Sequence, residues 1–160
     1  MLFGESDNLN IVAPPKLEQQ DFPHITFWFR SNWPSKRGET DPKIFVETED
    51  GEIVSRKRMD DMRKYARSLW DTFLGEGIAP QKWGEATTLI RQRYHRLMCK
   101  EFGELRFCDK DWKADHIATL HYPSWYKYWV TQGRDRKQKT RSRSVSRISV
   151  FHYHLNIPIL

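Results

Sequence analysis

Apolar positions change their spacing several times along the chain, and each change marks an expected element. In ITFWFRSNW, Ile25, Phe27 and Phe29 alternate with Thr26, Trp28 and Arg30, a period of two that predicts a short strand. In KIFVETEDGEIVS two β-prone runs flank Glu49-Asp50-Gly51, and Asp-Gly favours a hairpin turn because glycine tolerates positive φ. Strands are expected near 43–47 and 52–54. From Ser55 the period becomes helical. Met59, Met62, Ala66, Leu69, Trp70 and Phe73 share one face, Ser55 is placed to cap the first turn, and Gly75 to stop the helix after Leu74. A second helix is expected over about 84–102, ending at Gly103, with Ile90, Tyr94, Leu97, Ala86 and Trp83 as its buried stripe. Asp109 or Asp111 is placed to cap a third helix near 112–121. Tyr122-Pro123 is expected to break it, and Ser124 to open a short aromatic helix, SWYKYWV.

The two ends lack such periodicity. Residues 1–24 are polar, with Pro14, Pro15 and Pro23, and read as a mobile lead-in. Residues 134–147, RDRKQKTRSRSVSR, hold one apolar residue in fourteen and cannot supply a core, so a disordered basic arm is expected. The closing ISVFHYHLNIPIL is apolar again, and Phe151, Tyr153, Leu155 and Ile157 fall on one strand face. It reads either as an added strand, on this chain or a partner, or as an unanchored end. The expected fold class is mainly α: a small three- to four-helix domain over 55–131, a short N-terminal β-hairpin element over 25–54, a disordered basic C-terminal arm over 132–147 and an apolar tail over 148–160.

Composition narrows the class. The 160 residues carry 14% aromatics, including seven Trp, which excludes a wholly disordered chain. A chain of this length buries roughly 70% of its unfolded surface, enough for one core. No apolar run approaches the ~18 residues of a membrane span. MLFGESDNLN has neither a basic start nor an apolar run, so secretion is not expected, and two cysteines are too few for a disulfide framework. The net charge of +6 is unevenly placed: residues 134–160 hold seven bases and one acid, and the remainder balances to zero.

Within residues 76–129 the pieces IAPQKWGEA, MCKEFGELRFCD, WKAD and YPSW resemble short proteins encoded by mushroom-forming fungi. The resemblance covers about a third of the chain. It implies that 55–130 forms one unit, and it carries over no activity and no catalytic residue.

Four constellations are candidates for chemistry. The first is the arm itself, in which Arg134, Arg136, Lys137, Lys139, Arg141, Arg143 and Arg147 would bind phosphates through counterion release or serve as a nuclear-import address. Ser142, Ser144 and Ser146 lie among these bases as phosphorylation candidates, and three phosphates of about −2 each would cancel the charge. The second is a pair of helical stripes, Arg56, Arg63 and Arg67 on the first helix and Arg93, Arg96 and Lys100 on the second. Such stripes more often form solvated faces, and Asp60 and Asp71 lie within reach of Lys64 and Arg67. The third is Cys99, Cys108, His116 and His121, whose His pair has zinc-finger spacing and whose Cys pair does not. His95, one turn before Cys99, is expected with it on the side away from the apolar stripe. The fourth is Trp112, Tyr122, Trp125, Tyr126, Tyr128 and Trp129, expected mainly as core, with single-stranded bases or a protein partner as the alternative roles.

Signatures of hydrolase elbows, phosphate loops and zinc proteases are absent, and Cys99 with His95 lacks an orienting third group, so no catalytic residue is assigned. The leading expectation is a non-enzymatic nuclear protein that contacts nucleic acid, with a protein-interaction module as the alternative, a cytoplasmic location as the second choice, no membrane association and no cofactor beyond the zinc option.

Overall fold

Helical spacing and capping chemistry account for most of the architecture. The computed structural model describes residues 15–33 and 45–133. Three helices carry the fold: α1 (Arg56–Gly75), α2 (Thr88–Glu101) and α3 (Trp112–Tyr126), the last continuing into a π-helical turn, Lys127–Thr131. Ser55 begins α1 as expected, its hydroxyl accepting from the Arg58 N–H at 3.1 Å. The six residues expected on its apolar face are the six it buries. The helix runs one residue past Leu74, to Gly75, and the left-handed glycine comes two residues later than expected. Gly77, not Gly75, takes the left-handed conformation (φ 74°), and the N–H groups of Gly77 and Ile78 donate to the carbonyls of Leu74 and Phe73. Glycine enters that conformation without a Cβ clash, so the reversal falls where the orphan carbonyls can be met.

The second helix begins later than expected. Trp83–Glu85 forms a 3-10 turn, and α2 starts after Thr87, whose hydroxyl accepts from Ile90 N–H. Its buried residues are Tyr94, Met98 and Cys99, while Ile90 and Leu97 are half-buried. The inward stripe is therefore rotated toward Cys99. The expectation that Cys99 and His95 face away from the core is corrected: Cys99 is buried and His95 is half-buried against Asp115 of α3.

The third helix differs most. Pro123 does not break it but lies inside it, so the separate aromatic helix is not formed. An interior proline forfeits one backbone hydrogen bond and costs about 3 kcal/mol. Burial offsets this. Tyr122 and Trp125, on either side, are enclosed and anchored by Tyr122 Oη donating to the Pro80 carbonyl at 2.5 Å and Trp125 Nε1 to Asp71 of α1 at 2.9 Å. Neither Asp109 nor Asp111 caps the helix with its side chain. Instead Lys110 and Asp111 both adopt left-handed backbone (φ 52° and 55°) just before it.

No strand is formed among the described residues. The Asp-Gly turn is present, with Gly51 at φ 81°, but pairing is reduced to one antiparallel bridge, Glu47 with Ile53. Gly51 is also sterically required, because a Cβ there would lie 2.2 Å from the His24 carbonyl oxygen. Residues 43 and 44 of the expected first strand lie outside the described residues. The expected strand at 25–33 is replaced by bends and a 3-10 turn, Arg30–Asn32. The Glu47 carboxylate accepts from the N–H groups of Thr26 at 2.8 Å and Phe27 at 2.9 Å, and local turn bonds take those of Ile25, Asn32 and Trp33, so these donors are not free for a sheet.

One core joins these parts. Trp70, Trp83, Tyr94, Tyr122 and Trp125 pack ring on ring where the three helices meet, with Trp83 and Tyr94 centroids 4.8 Å apart. The lead-in is in contact with the body from Pro15 onward, through the Pro15 carbonyl to Arg106 and Phe22 against Phe107.

Candidate functional site

The basic arm, with Arg134, Arg136, Lys137, Lys139, Arg141, Arg143, Arg147 and the three serines, lies outside the described residues, as does the apolar tail. The helical stripes lie within them and are partly neutralised. Arg93 forms a two-pronged ion pair with Glu76, at 2.5 and 2.8 Å. The pair raises the guanidinium pKa and lowers that of the carboxyl. Arg63 pairs with Asp60 on its own helix, whereas Arg56, Arg67, Arg96 and Lys100 are exposed.

The four proposed zinc ligands are not gathered. His116 packs its ring against Phe45 and Trp112. The Cys108 thiol donates to the Leu105 carbonyl, and the Cys99 thiol to Asp111 at 3.7 Å. Among the described residues no group of three or more His, Cys, Asp or Glu side chains is arranged to hold a metal ion.

The aromatic set divides. Trp112, Tyr122 and Trp125 are core, and Tyr126 is half-buried. Tyr128 and Trp129 are 50% and 58% exposed on the π-helical turn that leads to the arm.

The structure adds two arrangements with no local sequence signal. In the first, Asp115 of α3 receives Trp83 Nε1 at 2.9 Å and His95 Nε2 at 3.2 Å, with Arg91 3.9 Å away. Burial pushes this carboxyl up, but the bonds from His95 and Trp83, with the nearby positive charge, hold it below the usual carboxylate range. Asp115 is thus the third group that orients His95. Burial and the Asp111 carboxylate push the Cys99 thiol well above its ordinary pKa, away from the thiolate form. Cys108 is pushed up to about 11, chiefly by burial.

The second arrangement is a cavity of about 510 Å³ beside α2. Its wall includes His95, Arg96 and Cys99 from α2, Arg106 from the 3-10 turn Gly103–Arg106 that follows, Cys108 just beyond that turn, and Lys16 and Leu17 from the N-terminal segment. The left-handed pair Lys110–Asp111 forms one edge. The Trp28 carbonyl fixes that pair from both sides, accepting from Asp109 N–H and from Trp112 Nε1, each at 2.9 Å. No family model, curated protein or solved structure matches the chain.

Proposed function

We propose that this is a non-enzymatic nuclear protein that contacts nucleic acid with little sequence preference through Arg134–Arg147. The observation that carries the reading is the separation of charge: seven bases crowd into fourteen residues, whereas residues 1–133 balance to zero. Pairing of Arg58, Arg63 and Arg93 with carboxylates supports it, because much of the helical charge is already met within the body. Arg93, Arg96 and Lys100 are then auxiliary contacts, with Arg93 the weakest. Binding of a labelled oligonucleotide is expected to fall steeply with salt, with a log–log slope of about −4 to −6. Removing 134–160 should abolish most of it, and Ser142, Ser144 and Ser146 changed to Asp should weaken it. Equal binding by the truncated chain would overturn the proposal.

The exposure of Tyr128 and Trp129 favours a second reading, a protein-interaction module whose arm only directs localisation. Association with a protein that ignores salt and is lost with Trp129→Ala distinguishes it.

A further inference from the structure

Four cationic side chains reach the cavity beside α2 from four separate segments: Lys16 from the N-terminal stretch, Arg96 from α2, Arg106 from the 3-10 turn after it, and Lys110 from the left-handed pair. A solvated helix face produces a stripe along one element, and this is instead a convergence. One acid, Asp111, shares the wall, its carboxylate accepting from the Cys99 thiol at 3.7 Å, so four cations face a single carboxylate. Among the described residues Arg96 has no carboxylate partner, and Arg106 donates to the Pro15 carbonyl at 2.8 Å. Between the cations the wall is mixed, with Leu17 and the two cysteines beside Gln92 and His95. The volume lies within the roughly 300–1,000 Å³ of small-molecule sites. Consecutive non-glycine residues in left-handed backbone are sparsely populated and costly, and such strain is concentrated at ligand clamps and active sites.

We propose that this cavity binds a small organic phosphate monoester. Arg96 and Arg106 hold the oxyanion, since a guanidinium presents paired donors that match phosphate oxygens. Lys16 and Lys110, in long and exposed pairs with Glu18 at 3.9 Å and Asp109 at 4.0 Å, supply further positive charge, and the organic body lies over Leu17, Cys99 and Cys108. A dianion fits better than a carboxylate because it meets more of the four converging charges. The site is independent of the basic arm.

The test is the thermal midpoint of the full chain with phenyl phosphate at about 10 mM, against sodium chloride at matched ionic strength. At tenfold excess over Kd the midpoint is expected to rise by about 3–6 °C. Arg96→Gln, on the exposed side of α2, should remove the rise, and Arg106→Gln should reduce it. If Arg106→Gln fails to fold, Arg96→Gln alone decides. Replacing Arg134, Arg136, Lys137 and Lys139 with Gln should leave the rise intact. No rise, a rise that survives Arg96→Gln, one that disappears with the arm substitutions, or an equal rise with benzoate would each overturn the proposal.

Discussion

Helices α1 and α3 lie against each other and are built on opposite principles. In α1 one face is apolar, and the helix begins at a hydroxyl cap supplied by the neighbouring residue. In α3 burial runs around the helix: Trp112, Lys113, Ala114, Ile117, Ala118, Tyr122 and Trp125 are all enclosed. Residues 112, 113 and 114 are consecutive and point about 100° apart, so no single face can contain them. The helix meets α1 through Trp125 and Asp71, α2 through Asp115 and His95, and the hairpin turn through Lys113 and Glu47. A helix with one buried side shows itself as a period. A helix surrounded by partners loses the period, and its limits are set by those partners.

The largest expected effect tests the least α1-like feature of α3. Lys113 and Glu47 form an ion pair at 3.2 Å with side chains 0% and 1% exposed. Burial pulls the lysine pKa down, and the Glu47 carboxylate partly restores it. Lys113→Ala leaves the carboxylate enclosed with two backbone N–H partners and is expected to cost about 3–5 kcal/mol in a denaturant melt. Lys113→Met together with Glu47→Gln should cost markedly less, since both charges leave together. A single substitution no worse than the double one would show that the buried charge of α3 is as replaceable as any apolar residue of α1.

Legibility in the sequence follows the same division. All six buried residues of α1 and its Ser55 cap were readable because local spacing and local chemistry determine them. The limits of α2 and α3 were less so. The inward side of α2 includes His95 and Cys99, which a count of large apolar residues passes over. Pro123 is a strong local breaker, overridden by the burial of Tyr122 and Trp125. The strand expected at 25–33 lost two backbone donors, Thr26 and Phe27, to Glu47, a residue some twenty positions away, and others to local turns. The cavity was not legible at all: Pro15 and Arg106, which close part of it, are 91 positions apart. The cysteines, His95 and Arg96 were singled out as residues, but the site that unites them depends on tertiary packing.

An intermediate effect separates the two helices by pH. His116 of α3 lies against Phe45 and Trp112. Burial, with Arg30 nearby, lowers its pKa from 6.5 to about 4, against an opposing pull from Asp115. The unfolded chain therefore binds the proton first. Stability from this group is complete above pH 6.5, falls as pH drops toward 4, and changes no further below that. Allowing for its partial exposure, the loss is roughly 1–2 kcal/mol. His116→Phe, which keeps the ring contacts, should flatten this window. The exposed pair of α1, Lys57 with Asp61, works in a lower range, because the lowered Asp61 pKa gives stability that is lost only as pH falls below the ordinary carboxylate value. A melt series between pH 7 and 4 that is unchanged by His116→Phe would contradict the assignment.

The smallest effects concern how the two helices start, and they should have opposite signs. Ser55→Ala removes the hydroxyl that accepts from Arg58 and should destabilise the chain by about 1 kcal/mol. At α3 the entry is held by tertiary contacts despite an unfavourable backbone. Lys110 has φ 52°, its side chain is 88% exposed, and its nearest carboxylate, Asp109, is 4.0 Å away. Lys110→Gly relieves the steric cost of left-handed backbone, about 1–2 kcal/mol, while adding unfolded-state entropy of about 0.5–1 kcal/mol. The net expectation is a gain of roughly 0.5 kcal/mol. Chemical denaturation of both variants beside the parent chain measures the two signs together. A loss at Lys110→Gly as large as that at Ser55→Ala would mean that the lysine side chain, like the serine hydroxyl, directs its helix from within the local sequence, and the contrast between the two starts would disappear.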